Sequence, residues 1–351
     1  MLGLKIENIS KSWSEFKLKN IDLTINDGDY FIIIGPTGAG KTLLLETIMG
    51  FHKPDEGRIV LNGKDITGTP PEKRNIGYVS QNCVLFPHMN VRQNVEFSLK
   101  MKGVSKTERT QTVNHLLEFV GLESMAHRRP ATLSGGERQK VALARALAMD
   151  SPLILLDEPL ASIDVESSRY LRRELKRIHV EQKKTVVHVT HNLIEGFGLA
   201  DMIALMQAGN IVQVGGSQEI LAKPKNEFAA RLLGYENVFK AGIVQSGSDF
   251  SELNVDGVKL RVSGKVDHDV LVAIRPEDIK VETSLVDDSS CNVLDGKISD
   301  YTDLGPIVIL ETESKLHMRI VIPKNVFIEK ELDTETDIYL YISPEAVKVI
   351  E

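Results

Sequence analysis

The stretch Tyr30-Phe31-Ile32-Ile33-Ile34-Gly35-Pro36-Thr37-Gly38-Ala39-Gly40-Lys41-Thr42 decides the fold of this 351-residue sequence. Its first five residues are aromatic or β-branched, which predicts a buried strand. The next eight fit G-x-x-x-x-G-K-[ST], and a helical pattern opens at their end. Strand, glycine-rich turn and helix start in that order form a phosphate-binding loop. The glycines let backbone N–H groups turn inward around phosphate oxygens, and the helix N-terminus adds the positive end of its dipole. Lys41 is expected to reach the β- and γ-phosphates of a nucleotide, and Thr42 to bind Mg²⁺.

Two segments further along belong to the same chemistry. Leu153-Ile154-Leu155-Leu156-Asp157-Glu158 is an apolar strand ending in two acids. Beside a phosphate loop, Asp157 is placed to hold the Mg²⁺ shell and Glu158 to orient an attacking water as general base. Leu133-Ser134-Gly135-Gly136-Glu137 precedes a helical run and reads as a capping box, with Ser134 as N-cap and Glu137 three residues on. The two glycines leave backbone N–H groups uncovered at a positive helix end, a second anion site. Two such helix ends in one chain either meet in one molecule or face each other across a dimer.

Around these motifs, residues 1–234 alternate short β-rich runs with helical patterns, the signature of an α/β unit with a largely parallel sheet. Strands are expected at 30–34, 153–156 and 186–190, with 202–206 and 211–214 as a hairpin. Residues 86–150 read as an inserted helical subdomain. Beyond Gly234–Glu236, short Val-, Ile- and Leu-rich strands alternate with turns such as Ser246-Gly247-Ser248-Asp249, so residues 235–351 read as a small all-β barrel.

Charge follows the same division. Residues 1–234 carry 30 basic and 26 acidic side chains, residues 235–351 carry 12 and 23, and the whole chain is −7. No basic stripe stands out, so a nucleic-acid partner is not favoured. Two cysteines, Cys83 and Cys291, are too few for a disulfide framework or a four-cysteine zinc site. No apolar run approaches the roughly 20 residues of a membrane helix. The start, MLGLKIENIS, lacks a basic region followed by an apolar core. The expectation is an intracellular protein that does not itself cross a membrane.

GPTGAGKT at 35–42, LSGGERQKVALARAL at 133–147, LILLDEPLASID at 153–164 and VTHN at 189–192 resemble, in that order and spacing, the ATP-binding cassette of ABC transporters. The resemblance implies a P-loop NTPase with a RecA-like core plus helical subdomain, followed by a TOBE- or OB-like barrel. It also implies that two copies face each other head to tail, each ATP lying between one copy's phosphate loop and the other's LSGG segment. Carried over by residue, the nucleotide site comprises Trp13 on the adenine, with Phe16 as the other candidate, and Gly35, Pro36, Thr37, Gly38, Ala39, Gly40, Lys41, Thr42 and Leu43. The facing copy would supply Ser134, Gly135, Gly136 and the D-loop Asp164. Glu158, His191, Lys41 and Gln81 take the catalytic roles, and Thr42, Gln81 and Asp157 hold Mg²⁺. His188 reads as structural. Four residues depart from the family's usual wording: Ser80, Ala161, Asn192 and Gly196, the last expected to weaken its helix by about 1 kcal/mol. None belongs to the group assigned to chemistry, so an active ATPase is expected.

The segment Gln81-Asn82-Cys83-Val84-Leu85-Phe86-Pro87-His88-Met89-Asn90-Val91 is similar to that of importer ATPases, where it receives a helix of the permease. Ala273-Ile274-Arg275-Pro276-Glu277-Asp278-Ile279 and Gly234-Tyr235-Glu236-Asn237-Val238 resemble the regulatory barrel of the same importers. The overall wording is closest to molybdate/tungstate uptake ATPases, with ferric iron, sulfate, polyamine and sugar systems as alternatives. A non-transport cassette protein is the alternative of a different class. The resemblance implies a homodimer beneath two permease subunits at the cytoplasmic face of the membrane, served indirectly by a substrate-binding protein. Asp300-Tyr301-Thr302-Asp303-Leu304-Gly305 is a candidate oxyanion loop by the same resemblance, or else a plain strand turn.

Overall fold

The computed structural model describes residues 2–288 and 290–350. The chain divides into two compact units, Met1–Ile220 and Leu221–Glu351. This division falls earlier than the change of sequence pattern at Gly234–Glu236. The segment between them belongs with the second unit, where the Tyr235 hydroxyl donates to the Leu221 carbonyl at 3.0 Å.

The centre of the first unit is a six-stranded sheet. In spatial order its strands are Asn210–Gly216, Met202–Gln207, Tyr30–Ile34, Thr185–Thr190, Leu153–Asp157 and Ile76–Val79. The first two pair antiparallel and all other neighbours are parallel. Tyr30–Ile34, Leu153–Asp157 and Thr185–Thr190 are buried at every position. A parallel sheet is covered on both faces, which is why these strands are mostly apolar, with His188 and the strand-end residues Asp157, Thr185 and Thr190 as the polar positions. Four adjacent strands end at a motif: Ile34 before the phosphate loop, Thr190 before His191, Asp157 before Glu158, and Val79 two residues before Gln81. In open α/β sheets ligands bind outside the carboxyl ends of the strands, and here sequence segments more than 100 residues apart meet along one edge.

A four-stranded antiparallel sheet of Lys17–Asn26, Leu2–Ser12, Glu56–Leu61 and Lys64–Asp65 accompanies it. The reading of 1–234 as largely parallel missed this sheet, although Lys17–Asn26 alternates buried and exposed positions as a half-buried strand does. The helix Lys41–Met49 joins the two. Its Leu44, Leu45 and Ile48 share one apolar cluster with Leu4 and Ile6 of one sheet and Phe31 and Ile33 of the other. Burying each of these side chains contributes about 2 kcal/mol, so the helix that opens the phosphate loop is firmly anchored. Between Ile76–Val79 and Leu153–Asp157 the chain makes three helices, Val91–Met101, Lys106–Phe119 and Gly135–Ala148, which pack on one another.

The second unit is built from two five-stranded antiparallel sheets. Side chains from both, including Leu253, Val272, Leu310 and Leu340, form one buried cluster, giving a barrel-like body. Within it, Asp300–Asp303 closes the strand Asn292–Asp303, and residues 304–306 turn into Ile307–Glu313. Thr302 and Asp303 pair with Ile309 and Val308. The Asp300 carboxylate accepts from the Tyr301 N–H at 2.8 Å, and Asp303 accepts from the Gly305 N–H at 2.9 Å and pairs with Lys324. The Leu304 N–H donates to the Ile307 carbonyl. These bonds engage the Tyr301, Leu304 and Gly305 amides within the chain itself.

Candidate nucleotide and catalytic site

The phosphate loop is shaped by Gly40. It precedes the helix Lys41–Met49 at φ 100°, a left-handed conformation, and a Cβ there would lie 2.6 Å from the Phe16 ring. Only glycine meets both demands. Lys41 folds back over the loop, its Nζ donating to the Gly35 carbonyl at 2.7 Å and the Pro36 carbonyl at 3.0 Å. Burial pushes its ammonium below the ordinary lysine value, while Glu158 and Asp157 pull the other way. A cavity of about 390 Å³ opens along Thr37–Leu43 and is completed by Phe16, Gln81, Glu158, Ala161 and His191.

Asp157 is 1% exposed. Its Oδ1 accepts from the Thr42 hydroxyl at 3.1 Å, and its Oδ2 is buried with no hydrogen-bond partner. Burial raises its pKa to about 6; Glu158 and Glu46 add to the rise, and bonds from Thr42 and the Gln81 backbone oppose it. An orphaned buried carboxylate oxygen beside a threonine hydroxyl is a donor set of hard oxygens suited to Mg²⁺. Among the described residues there is no group of three or more His, Cys, Asp and Glu that could hold a metal ion.

Glu158 follows directly, with φ 49°. This left-handed conformation costs of order 1–3 kcal/mol for a non-glycine residue. Three backbone contacts hold it. The Glu158 N–H donates to the Val189 carbonyl at 3.0 Å, the Ala161 N–H donates to the Glu158 carbonyl at 3.3 Å, and the Gln139 amide donates to that carbonyl at 2.6 Å. Gln139, 1% exposed, also accepts from the Ser162 N–H at 2.9 Å. Glu158 Oε1 lies 2.8 Å from His191 Nδ1, joining the ends of two neighbouring strands.

The structure thus brings together Thr37–Leu43, Gln81, Asp157, Glu158 and His191, with Gly35 and Pro36 supplying carbonyls to Lys41. Ser134, Gly135, Gly136 and Asp164 do not line this cavity. Ser134 caps the helix Gly135–Ala148 in a reciprocal capping box with Glu137, and Asp164 caps Val165–Gln182 by accepting from the Ser167 N–H at 2.9 Å. Trp13 does not line it either; its ring stands edge-on to His52 at 5.2 Å, while Phe16 sits against the loop. Two departures from the family wording have local reasons. Asn192 caps the helix Leu193–Leu199 by accepting from the Glu195 N–H. Gly196 faces Ile34, whose Cδ1 would lie 2.5 Å from an added Cβ, so close packing beneath the phosphate loop offsets its weak helix propensity. Sequence reasoning missed Gln139. The available signal was a polar residue on the stripe it shares with buried Ala142, Leu143 and Ala146.

Comparisons with known proteins agree with this geometry. A family profile described as ABC transporter matches residues 18–161. The chain is 41% identical over 347 residues to the molybdate/tungstate import ATP-binding protein of Pyrococcus horikoshii, covering 99% of both chains. It is 38% identical over 315 residues to the spermidine/putrescine import ATP-binding protein of Thermotoga maritima, covering 87% of this chain and 85% of that one. Among solved structures it is similar to a dimeric ATP-binding cassette in a post-hydrolysis state bound to ADP and Pi, at 31% identity and TM-score 0.57, covering 61% of this chain and 98% of that one. With the phosphate loop, the strand-end acids and the histidine assembled as described, this chain belongs to the import ATP-binding proteins of the ABC transporter family.

Proposed function

We propose that this chain is the ATP-hydrolysing subunit of an importer for molybdate or tungstate. It works as a head-to-tail dimer under two permease subunits at the cytoplasmic face of the membrane, supplied by a substrate-binding protein. The observation that carries the hydrolytic reading is the convergence of Lys41, Thr42, Asp157, Glu158 and His191 at the carboxyl ends of adjacent parallel strands. In this reading the amides of the phosphate loop and Lys41 bind the phosphates, Trp13 stacks on adenine, and Phe16 packs under Gly40. Thr42, Asp157 and Gln81 hold Mg²⁺, which when bound neutralises charge developing on the phosphates. Glu158 orients and deprotonates the attacking water, and His191 holds Glu158 and reaches toward the γ-phosphate. Ser134, Gly135, Gly136 and Asp164 stay outside the cavity because they serve the ATP of the facing copy. The dimeric structural relative supports that arrangement. Gln81 and the segment through Val91 face the permease. No helix among the described residues is long and apolar enough to cross a membrane, which fits peripheral attachment.

The cargo assignment rests on relatives whose names specify molybdate/tungstate and that match over nearly the whole chain. Polyamine uptake is the second reading, favoured by the spermidine/putrescine relatives. ATP hydrolysis by the chain assembled with its permease pair in vesicles separates them. Binding protein loaded with tungstate or molybdate should stimulate hydrolysis and spermidine should not. Stimulation by spermidine alone would transfer the chain to the polyamine systems.

A further inference from the structure

Behind Glu158 lies a buried polar chain that the hydrolytic reading does not use. Glu158 Oε2 is 3.4 Å from the Thr190 hydroxyl. The same hydroxyl is 3.0 Å from Glu195 Oε2 and accepts from the Asn192 N–H at 3.0 Å. Glu195 Oε1 meets His188 Nε2 at 3.1 Å, off the line of a hydrogen bond, and neither atom has a hydrogen-bond partner. His188 Nδ1 is 3.1 Å from the Tyr30 hydroxyl. Thr190 and His188 are fully buried and Glu195 nearly so. Burial pushes the Glu195 carboxyl up, but the His188 imidazole and Thr190 hydroxyl beside it and the charge of Arg172 outweigh it and hold it below its ordinary value. Glu195 is therefore a buried anion two contacts from the proposed base.

The decisive feature is the count of protons. A threonine hydroxyl has one, and here two carboxylates compete for it while its lone pair takes the Asn192 N–H. Glu195 holds the shorter contact. We propose that Thr190 and Glu195 are positioning residues for the Glu158 carboxylate: the Thr190 hydroxyl steers Glu158 Oε2 while His191 holds Oε1, and Glu195, fixed from behind by His188, sets how far the hydroxyl proton is shared. The inference rests on the reading of Glu158 as the base. An unpaired hydroxyl would leave that carboxylate free to swing about its His191 contact, and a misplaced general base loses rate rather than substrate affinity.

The test is a double-mutant cycle on ATP hydrolysis by the full-length chain, with Thr190→Val, Thr190→Ser and Glu195→Gln. T190V keeps the side-chain shape and removes the proton. It should lower kcat about tenfold, within the range a positioned base commands, and leave KM for ATP within about twofold. T190S should restore most of kcat. E195Q should change kcat alone and on the T190S background, and have no further effect on T190V, because its influence passes through the hydroxyl. Wild-type kcat in T190V, or an E195Q effect of equal size with and without the hydroxyl, would overturn the proposal. If T190V unfolds, Thr190→Ala takes its place: an E195Q effect that vanishes on T190A supports the hydroxyl's role, and one of equal size on T190A overturns it. Glu158→Gln run beside them separates the two readings, since continued hydrolysis by E158Q would remove Glu158 as the base whatever the cycle shows.

Discussion

Replacing Asp157 by Asn should stabilise the nucleotide-free protein while destroying its response to Mg²⁺. Asp157 is buried, its Oδ2 has no partner, and its pKa stands at about 6 against an ordinary 3.8. At about 1.36 kcal/mol per pKa unit, keeping it ionised in the fold costs up to about 3 kcal/mol. Partial solvent screening reduces this, and the new amide N–H would lack an acceptor, losing about 1 kcal/mol. The Thr42 hydroxyl retains an oxygen to donate to. The net gain of about 1–2 kcal/mol corresponds to a Tm rise of about 3–6 °C for a unit of this size. The sign follows from linkage. A carboxyl whose folded pKa is raised is no burden below the unfolded value; the penalty grows between about pH 4 and pH 6 and is complete above. Thermal unfolding of both proteins from pH 4 to pH 8 should therefore show Tm curves that converge at low pH and separate above 6, D157N being the more stable. Mg-ATP should raise the wild-type Tm more than ATP with EDTA does, and D157N should not distinguish the two. A lower Tm for D157N at pH 8, or a gap independent of pH, would refute the account of Asp157 as an uncompensated buried charge awaiting a cation.

Two further outcomes follow from the geometry. Gln139→Leu leaves the Ser162 N–H unpartnered and deprives the Glu158 carbonyl of its shortest contact; it should cost about 2–4 kcal/mol in urea unfolding and depress hydrolysis, and a change below about 0.5 kcal/mol would remove Gln139 as the strut beneath Glu158. Trp13 is the one tryptophan of the chain, so its fluorescence reports on the adenine assignment. ATP should quench it in the wild type, and unchanged emission on ATP binding, with loss of affinity in Phe16→Ala, would transfer the adenine to Phe16.

The sequence was most legible where chemistry demands fixed spacing. The phosphate loop, the strand-end acids and the Ser134 capping box lie within short contiguous segments, so each carries its geometry in its own order of residues. Buried parallel strands were legible too, because Tyr30–Ile34 is aromatic or β-branched throughout and Val186, Val187 and Val189 dominate Thr185–Thr190. The antiparallel sheet of residues 2–65 was less legible because its pairing is interrupted by irregular registers near Ile9 and Lys11. Gln139 and Thr190 could not be assigned because their contacts are long-range, and Glu195, which meets Thr190 five positions away, could not be placed without them. Gln139 meets residues 19 and 23 positions away, and Thr190 meets Glu158 across 32 positions. For Asp300–Gly305 the sequence left an oxyanion loop and a strand turn both open, and the Tyr301 and Gly305 amides bond to the segment's own carboxylates.

The central claim is that Glu158, clamped between His191 and the Thr190 hydroxyl, activates water against ATP held between two copies of this chain. Light scattering and phosphate release from purified E158Q in Mg-ATP test it most directly. The account predicts a stable dimer that releases essentially no phosphate and reverts to monomer when ATP is removed. A monomer in Mg-ATP, or phosphate release at the wild-type rate, would contradict it.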